Sequence, residues 1–559
     1  MRVDEPEAPV PRRPGGGGVE DEHSAAMKWN GWGAPGKRIE LGAEARRMLC
    51  SELGEAEPAA CARLEEVVLP ELRPLPPEIA DAVGSGAVLT GREHRVGRAA
   101  GRSYPDLVRL RSGRLEHAPD AVVLPATAAE VARVLEICSR RGVAVIPFGG
   151  GTSVVGGVEP LRGRFDTLIS LDLRRLRDVE VDRRSLTATL GVGLRGPAAE
   201  DALRARGVTL GHFPQSFEWA TIGGFAATRS AGQASSGYGR FDELVTAIEL
   251  TAPAGELRTL EVPHTAAGPA LRELAAGSEG TLGVITSVTT LVRPLPERRR
   301  YEGWMAADFA GGAEIVRTLA QGDVLPDVVR LSDEVETRVA LELSGVAGAP
   351  RALLSGYLRL RRLAGGCMIV CGWEGEREAV ERRRALSARA LRAGGAVTLG
   401  VGPGRAWDRG RYEGPYVRDE LLDLGYLVET LETAHTWSRI DELYRGVRAA
   451  IADSLDAQGT PGLVMCHLSH AYRDGASLYF TFLARRRPGA EIEQWRAVKA
   501  AASEAILSAG GTITHHHAVG RDHAPYMRAE VGELGVEVLR AVKERLDPAG
   551  IMNPGKLIP

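Results

Sequence analysis

Three consecutive histidines, His515, His516 and His517, are the residues of this 559-residue chain whose types and spacing point most directly to chemistry. Clustered imidazoles can move protons, bind an anion or hold a metal. Thr512-Ile513-Thr514 ahead of them reads as a strand, on which His515 and His517 would share one face and His516 the other, so a bend is needed for all three to meet one ligand. Two histidines of one face plus a carboxylate would suit a metal, and that alternative stays open on the residues alone. A second candidate is Pro147-Phe148-Gly149-Gly150-Gly151-Thr152-Ser153, a glycine triplet at the end of an apolar run. Without Cβ atoms, its N–H groups can converge on an anion such as a diphosphate. The pattern is neither GxGxxG nor a Walker loop, and a bare triplet could equally be a flexible turn. Its company favours a ligand: small-residue loops recur at 211–216, 221–224, 227–232, 237–239 and 277–283, where packing alone would ask for side chains.

The elements that must carry these residues are legible in part. Ala121–Leu124 reads as a strand, Thr127 and Glu130 as a capping box, Val131, Val134, Leu135 and Cys138 as one helical face, Gly142 as its stop, and Val143–Ile146 as the strand feeding the glycine triplet. This is a βαβ unit. Val179–Asp182 and Leu186–Leu190 read as a hairpin, followed by a helix from Pro197 carrying Ala199, Leu203 and Val208. The expected organisation is a disordered, acidic, Gly/Pro-rich tail over 1–26, a helical N-terminal layer over 27–118, a ligand-binding domain over 119–297, a cap over 298–505 and a segment over 506–559 that returns to the cleft.

Composition bounds the function classes. Charged residues nearly cancel, at net −3, which removes the footprint of a dedicated nucleic-acid binder. Arginine supplies 65 of the 70 basic residues, so the runs 298–300, 382–384 and 485–487 read as solvated faces or strand ends of an arginine-rich chain. The six cysteines show no CxxC spacing and point to a reducing compartment. No apolar run approaches the ~20 residues of a membrane span, and neither a secretory nor a peroxisomal signal is present, so a cytoplasmic protein is expected. Glycine, at 68 residues, is in excess.

The motifs PFGGGTS, TIGG and SEGTLGVIT, in that order, and the closing NPGKL resemble the vanillyl-alcohol-oxidase (PCMH-type) flavoprotein superfamily. Within it, MKWNGWG from Met27, GHFPQS, VVRLSD, YVRD, DGASLYF and the histidine triplet resemble the alkyldihydroxyacetonephosphate synthase family. The resemblance runs from residue 27 to the end. It implies an α+β fold, with a PCMH-type FAD-binding domain of two α/β subdomains and a separate α+β cap of the FAD-linked oxidase C-terminal type. It implies FAD held by Pro147, Phe148, Gly149, Gly150, Gly151, Thr152 and Ser153, by Gln215, Ser216, Phe217, Glu218, Trp219, Ala220 and Thr221, by Ala227, Thr228, Arg229 and Ser230, and by Glu279, Gly280, Thr281, Leu282, Gly283, Val284 and Ile285. Gln215 departs from the acidic residue of the animal members.

The same resemblance implies exchange of the acyl chain of acyl-dihydroxyacetone phosphate for a fatty alcohol, through covalent catalysis at the flavin N5 with no net redox change and no metal. Tyr479 matches the family's proton-transferring tyrosine, with His516 and His517 as the cationic neighbours a phenol of pKa ~10 would need, and with His515 and His212 as further catalytic positions. Arg418 and Arg330 match substrate-binding arginines, whose guanidinium suits a phosphate dianion. Lipid substrates imply a hydrophobic tunnel and peripheral membrane contact, and a homodimer is a family expectation. The competing expectation is an FAD-linked D-2-hydroxy-acid dehydrogenase, whose GHxGDGNLH loop would correspond to His467 through Tyr479; here tyrosine stands near the place of its final histidine.

Overall fold

The computed structural model describes residues 26–343 and 348–559; the glycine-rich part of the expected tail lies outside them. Three sheets organise the chain. The first has the order Val88–Leu89, Ala121–Val123, Thr167–Asp172, Val143–Phe148, with its last three strands parallel. Helix Ala128–Arg141 makes the crossover as its residues require. Thr127 Oγ1 accepts the N–H of Glu130 at 3.1 Å, and Gly142 closes the helix in the left-handed region at φ 67°. Glu130 reaches back one residue further than a capping box would, to the N–H of Ala126. Ile551–Asn553 add a short parallel bridge beside Val145, so the chain's end is stitched to the strand that delivers the glycine triplet.

The second sheet is a five-stranded antiparallel layer in the order Val179–Asp182, Thr187–Gly191, Val284–Leu291, Val245–Ala252, Gly255–Arg258. The expected hairpin is its first pair. The helix that follows spans Gly196–Arg204 and stops before Val208, which joins a two-residue strand against Arg293–Pro294. Gly207 at φ 79° ends it, and the Glu200 carboxylate draws the N–H groups of Leu210 and Gly211 back onto it.

The third sheet has seven antiparallel strands, in the order Val397–Gly400, Arg298–Ala306, Cys367–Gly375, Val328–Ser332, Leu463–Ala471, Gly475–Arg485, Tyr426–Thr436. Helices Phe309–Gln321, Arg377–Ala393, Ile440–Ala457 and Glu491–Ser508 share one core with it. The arginine run at 298–300 is a strand end, opening Arg298–Ala306, and in the run 382–384 only Arg382 is exposed; the other arginines are paired. Arg299 pairs with Glu374, Arg300 and Arg384 with Glu302, and Arg383 with Asp327, and all three carboxylates are buried. A buried carboxylate is costly unless a cation meets it, which fixes these arginines in place.

Candidate functional site

One cavity of about 560 Å³ runs between the first two sheets and the third, and three kinds of wall line it. The first is a cradle of backbone and small side chains: Pro147 to Ser153, Gln215, Ser216, Ala220, Thr221, Ala227, Thr228, Ser230, Glu279, Gly280, Gly283 and Ile285. The glycines are required by close packing of loop on loop. A Cβ at Gly149 would overlap Thr221 Oγ1, and one at Gly150 would overlap the carbonyl oxygen of Trp219. Glu279, held at φ 51°, accepts the N–H groups of Val519 (2.8 Å) and Gly520 (2.6 Å), tying the C-terminal segment to the cradle; burial pushes its carboxyl up to about 7.

Seven residues expected to hold the cofactor face elsewhere. Phe217 stacks on Tyr412, Glu218 binds Lys37 and Tyr416, Trp219 packs with Trp32 and Tyr416, and Arg229 bonds the carbonyls of Ala276 and Glu273. Thr281 turns onto the carbonyl of Ser278, and Leu282 and Val284 enter the core. On the strand Val284–Leu291 alternation sends Ile285 to the cavity and Val284 away.

The second wall is aliphatic. Leu41, with Ala45, Met48 and Leu49 of helix Ala43–Leu53, opposes Val339 and Leu343 of helix Glu334–Leu343. Leu463, Met465 and Leu483 of the sheet close this arm.

The third wall is polar and lies between the other two. Strands Leu463–Ala471 and Gly475–Arg485 pair so that Leu463 faces Leu483, Met465 faces Thr481 and His467 faces Tyr479. Two residues per step along this ladder carry the wall from aliphatic to titratable. Tyr479 is ringed by imidazoles: His467 stacks on it at 4.8 Å, His517 meets it edge-on at 5.3 Å and His516 lies at 6.1 Å.

The histidine triplet is not a strand. Its backbone curls around Glu432, which reaches over from strand Tyr426–Thr436 and accepts the N–H groups of His515, His516 and His517 at 2.5, 3.1 and 2.8 Å, and the Thr514 hydroxyl at 2.7 Å. Successive N–H groups converging on one anion make a nest, and strand pairing cannot compete with it here. His516 and His517 line the cavity. His515 does not. Its Nδ1 lies 3.0 Å from Nδ1 of His516 and its Nε2 2.8 Å from the Tyr472 hydroxyl, so it supports its neighbour. Among the described residues Glu432, His515 and His516 form the one set spaced for a metal ion, but all four donors named above already fill that carboxylate. The set fits proton chemistry better than cation binding.

The charge states differ from the sequence expectation. Burial holds His516 and His515 well below the ordinary 6.5, and His517 below it, despite the nearby Glu432. The pull of His516, His517 and His515, and after it the hydrogen bond from Thr514, holds Glu432 well below the carboxylate range against its burial. On balance burial outweighs the pull of Glu432 and the histidines favour the neutral form; burial pushes the Tyr479 phenol up to about 12, offset in part by a hydrogen bond with Thr430 and, less, by the nearby Arg418 cation.

Arg418 sits on helix Gly414–Asp423, half-buried as a residue, and burial lowers its pKa. Its Nη1 donates to the carbonyl of Arg102 at 2.7 Å, while Nε and Nη2 have no partner. The neighbouring Asp419 cannot neutralise it freely, being engaged by Lys28 (2.7 Å) and the N–H of Trp32 (2.6 Å). The MKWNGWG segment therefore straps this corner, and Arg102 holds it through the carbonyls of Lys28 and Gly31. Two buried donors without acceptors, opening on a cavity, are an anion site. Arg330 also lines the cavity, but its Nη2 is paired with Glu336 at 2.8 Å, and the same oxygen binds His467 Nδ1 at 3.1 Å. His212 is absent from the cavity. It packs edge-on against Phe225 and Phe241, burial lowers its pKa to about 3, and it reaches the site through Phe225 and through Ser230 at 3.1 Å, both of which line the cavity.

Glu432, Glu336, Arg102 and Asp419 escaped the sequence reading because their roles rest on contacts with other segments, from about seventy to several hundred residues away for Glu432, Arg102 and Asp419, and 131 residues away for the Glu336 contact with His467. His467 and His470 were visible there as a histidine pair; strand alternation from Leu463 was the signal that could have placed His467, whereas alternation alone would have sent His470 to the other face.

The family model described as FAD binding domain matches residues 119–261, and that described as FAD linked oxidases, C-terminal domain, matches residues 295–557. The chain is 34% identical over 473 residues to an alkyldihydroxyacetonephosphate synthase of Dictyostelium discoideum, which takes in 83% of this chain and 77% of that protein. The chain belongs to the alkyldihydroxyacetonephosphate synthase family. A Trypanosoma brucei brucei member is 31% identical over 572 residues, covering 95% of this chain and 92% of its own. A solved alkyldihydroxyacetonephosphate synthase superposes with a TM-score of 0.82 at 29% identity, over 95% of this chain and 99% of that one. FAD is the cofactor of this family of enzymes, and the interlocked glycine cradle fits it.

Proposed function

We propose that the protein is an FAD-dependent alkyldihydroxyacetonephosphate synthase, replacing the acyl chain of acyl-dihydroxyacetone phosphate by a fatty alcohol. The observation that carries this reading is the continuity of one cavity from a dinucleotide cradle, past an arginine with two buried donors free of partners, into an aliphatic arm. Bound FAD supplies covalent catalysis with no net electron transfer. Arg418 binds the phosphate. Tyr479 carries its proton in the resting site, so it acts as a relay, taking the substrate's proton as it passes its own to one of the surrounding neutral imidazoles. Glu432 positions His516 and His517 for that exchange, and Glu336 does the same for His467 and Arg330. The aliphatic arm takes the chains and excludes water from them.

The same reading expects peripheral membrane contact, and what supports it is that Leu343, at the end of the aliphatic arm, is exposed, as are Leu353 and Leu360 and the basic Arg359, Arg361 and Arg362 further along the chain. Among the described residues no helix is long and apolar enough to cross a membrane.

The decisive experiment is incubation of FAD-loaded protein with palmitoyl-dihydroxyacetone phosphate and hexadecanol. Ether product without consumption of an electron acceptor is expected. Acceptor reduction by D-lactate with no ether would overturn the reading.

A further inference from the structure

The strand Leu463–Ala471 obeys alternation for most of its length. Leu463, Met465, His467 and Ser469 line the cavity, while Val464, Cys466 and Leu468 enter the core behind the sheet. Continued alternation would send residue 470 into that core. It does not, because the register slips: Ser469 pairs with Ser477 and Ala471 with Ala476, leaving His470 as an extra residue at φ 48°. A bulge of this kind re-aims a side chain, and here it turns His470 onto the cavity wall.

His470 is 7% exposed, and its Nδ1 is enclosed without a hydrogen-bond partner. The ring packs against His515 at 5.5 Å and His516 at 5.0 Å. A left-handed backbone at a residue other than glycine, a break in the ladder and an unpaired buried nitrogen are three costs at one position, and no hydrogen bond to Nδ1 offsets them. Outliers of this sort cluster where a side chain must meet a ligand.

The rest of the wall identifies the ligand group. His470 is on the same strand as Leu463 and Met465, which line the aliphatic arm, whereas the free phosphate donors of Arg418 belong to a separate helix. Burial and the neighbouring His516 hold His470 well below 6.5, so it offers a neutral acceptor suited to an uncharged hydroxyl.

We propose that His470 is a further catalytic residue, the imidazole that receives the hydroxyl of the incoming fatty alcohol. Its step balances simply. The alcohol oxygen bonds to the substrate carbon vacated by the acyl oxygen, the O–H bond breaks, and the proton moves to His470 and leaves to solvent when product departs; nothing is oxidised or reduced. The proposal rests on the synthase reading above.

The test uses holoprotein carrying His470→Asn, since asparagine tolerates a left-handed backbone, and His470→Gln, which keeps an acceptor but cannot take a proton. Three quantities are measured with wild type alongside: ether formation from palmitoyl-dihydroxyacetone phosphate and hexadecanol, exchange of labelled palmitate into the same acyl substrate, and binding of labelled hexadecanol without turnover. Ether formation should fall about 100-fold in both variants, the loss typical of a positioned general base. Palmitate exchange should fall less than threefold, and hexadecanol binding should weaken about fivefold in the Asn variant and less in the Gln variant. Equal losses of ether formation and palmitate exchange, or unchanged ether formation, overturn the proposal. If wild type makes no ether, the synthase reading fails, and unchanged hexadecanol binding by His470→Asn then overturns the role of His470 separately.

Discussion

The two halves of the cavity recognise their ligands by different means. The cradle over 147–153, 215–230 and 279–285 works through backbone and small residues, so its requirement is the absence of side chains at particular points. The polar wall works through side chains drawn from five separate segments: Arg330, Arg418, Glu432, the strand pair carrying His467 to Tyr479, and His516 with His517. Backbone recognition is written locally, while side-chain chemistry is assembled across the fold.

If the polar wall alone carries the reaction, Tyr479→Phe should lower the exchange rate about 1,000-fold, within the range for lost acid–base catalysis, and leave the bound-flavin spectrum unchanged. Loss of flavin in that variant would break the division between the halves. Glu432→Gln should come next. The three N–H groups keep an acceptor but lose its charge, and we expect a fall of about 100-fold in rate with a drop in thermal stability, since unmet buried donors cost about 1–3 kcal/mol. In the cradle the order of effects reverses. Gly150→Ala should displace the 219–221 loop, weaken FAD retention at least tenfold on dilution and cost about 1–3 kcal/mol by overpacking, while the polar wall stays intact.

Much of the cradle was therefore legible in the chain. Thr127, Gly142 and the 143–148 strand set the βαβ unit by local rules, and the glycine loops marked where backbone must come close. The polar wall was legible only as residue types. The triplet's strand-like flanks gave the wrong local geometry, because a carboxylate some eighty residues away outbids the ladder. The cationic partner of Tyr479 was likewise misassigned to histidines, because burial decides protonation and burial is a property of the fold.

Stability against pH separates the halves more gently. His467, His470, His515, His516, His517 and His523 are buried with pKa values below 6.5, as is His212. Below pH 6.5 each of these histidines binds a proton more readily in the unfolded chain than in the folded one, so their contribution to stability falls as pH falls, by up to about 1.4 kcal/mol per pH unit for each such group. Thermal scans should show the melting temperature declining from pH 6.5 to pH 5, and His523→Asn should flatten that slope. Buried carboxyls raised to about 7 at Glu279 and Asp522 and to about 6 at Asp172 and Asp333 pull the other way, so a melting temperature that rose toward pH 5 would mean that the carboxyls, not the imidazoles, set the slope. The smallest effect should follow EDTA treatment: no change in exchange rate, since the Glu432 cluster is filled by its own donors.

What the sequence by itself determined is the family, the FAD cradle and the inventory of reactive side chains, because close backbone approach and strand–helix–strand order depend on residues near one another in the chain. What only the tertiary structure decided is which side chains share a chamber and in what protonation state: His212 and His515 outside it, His470 turned in, Arg418 left with free donors. The reason is that desolvation and the pairing of charges are set by neighbours from distant segments, and no local pattern encodes them.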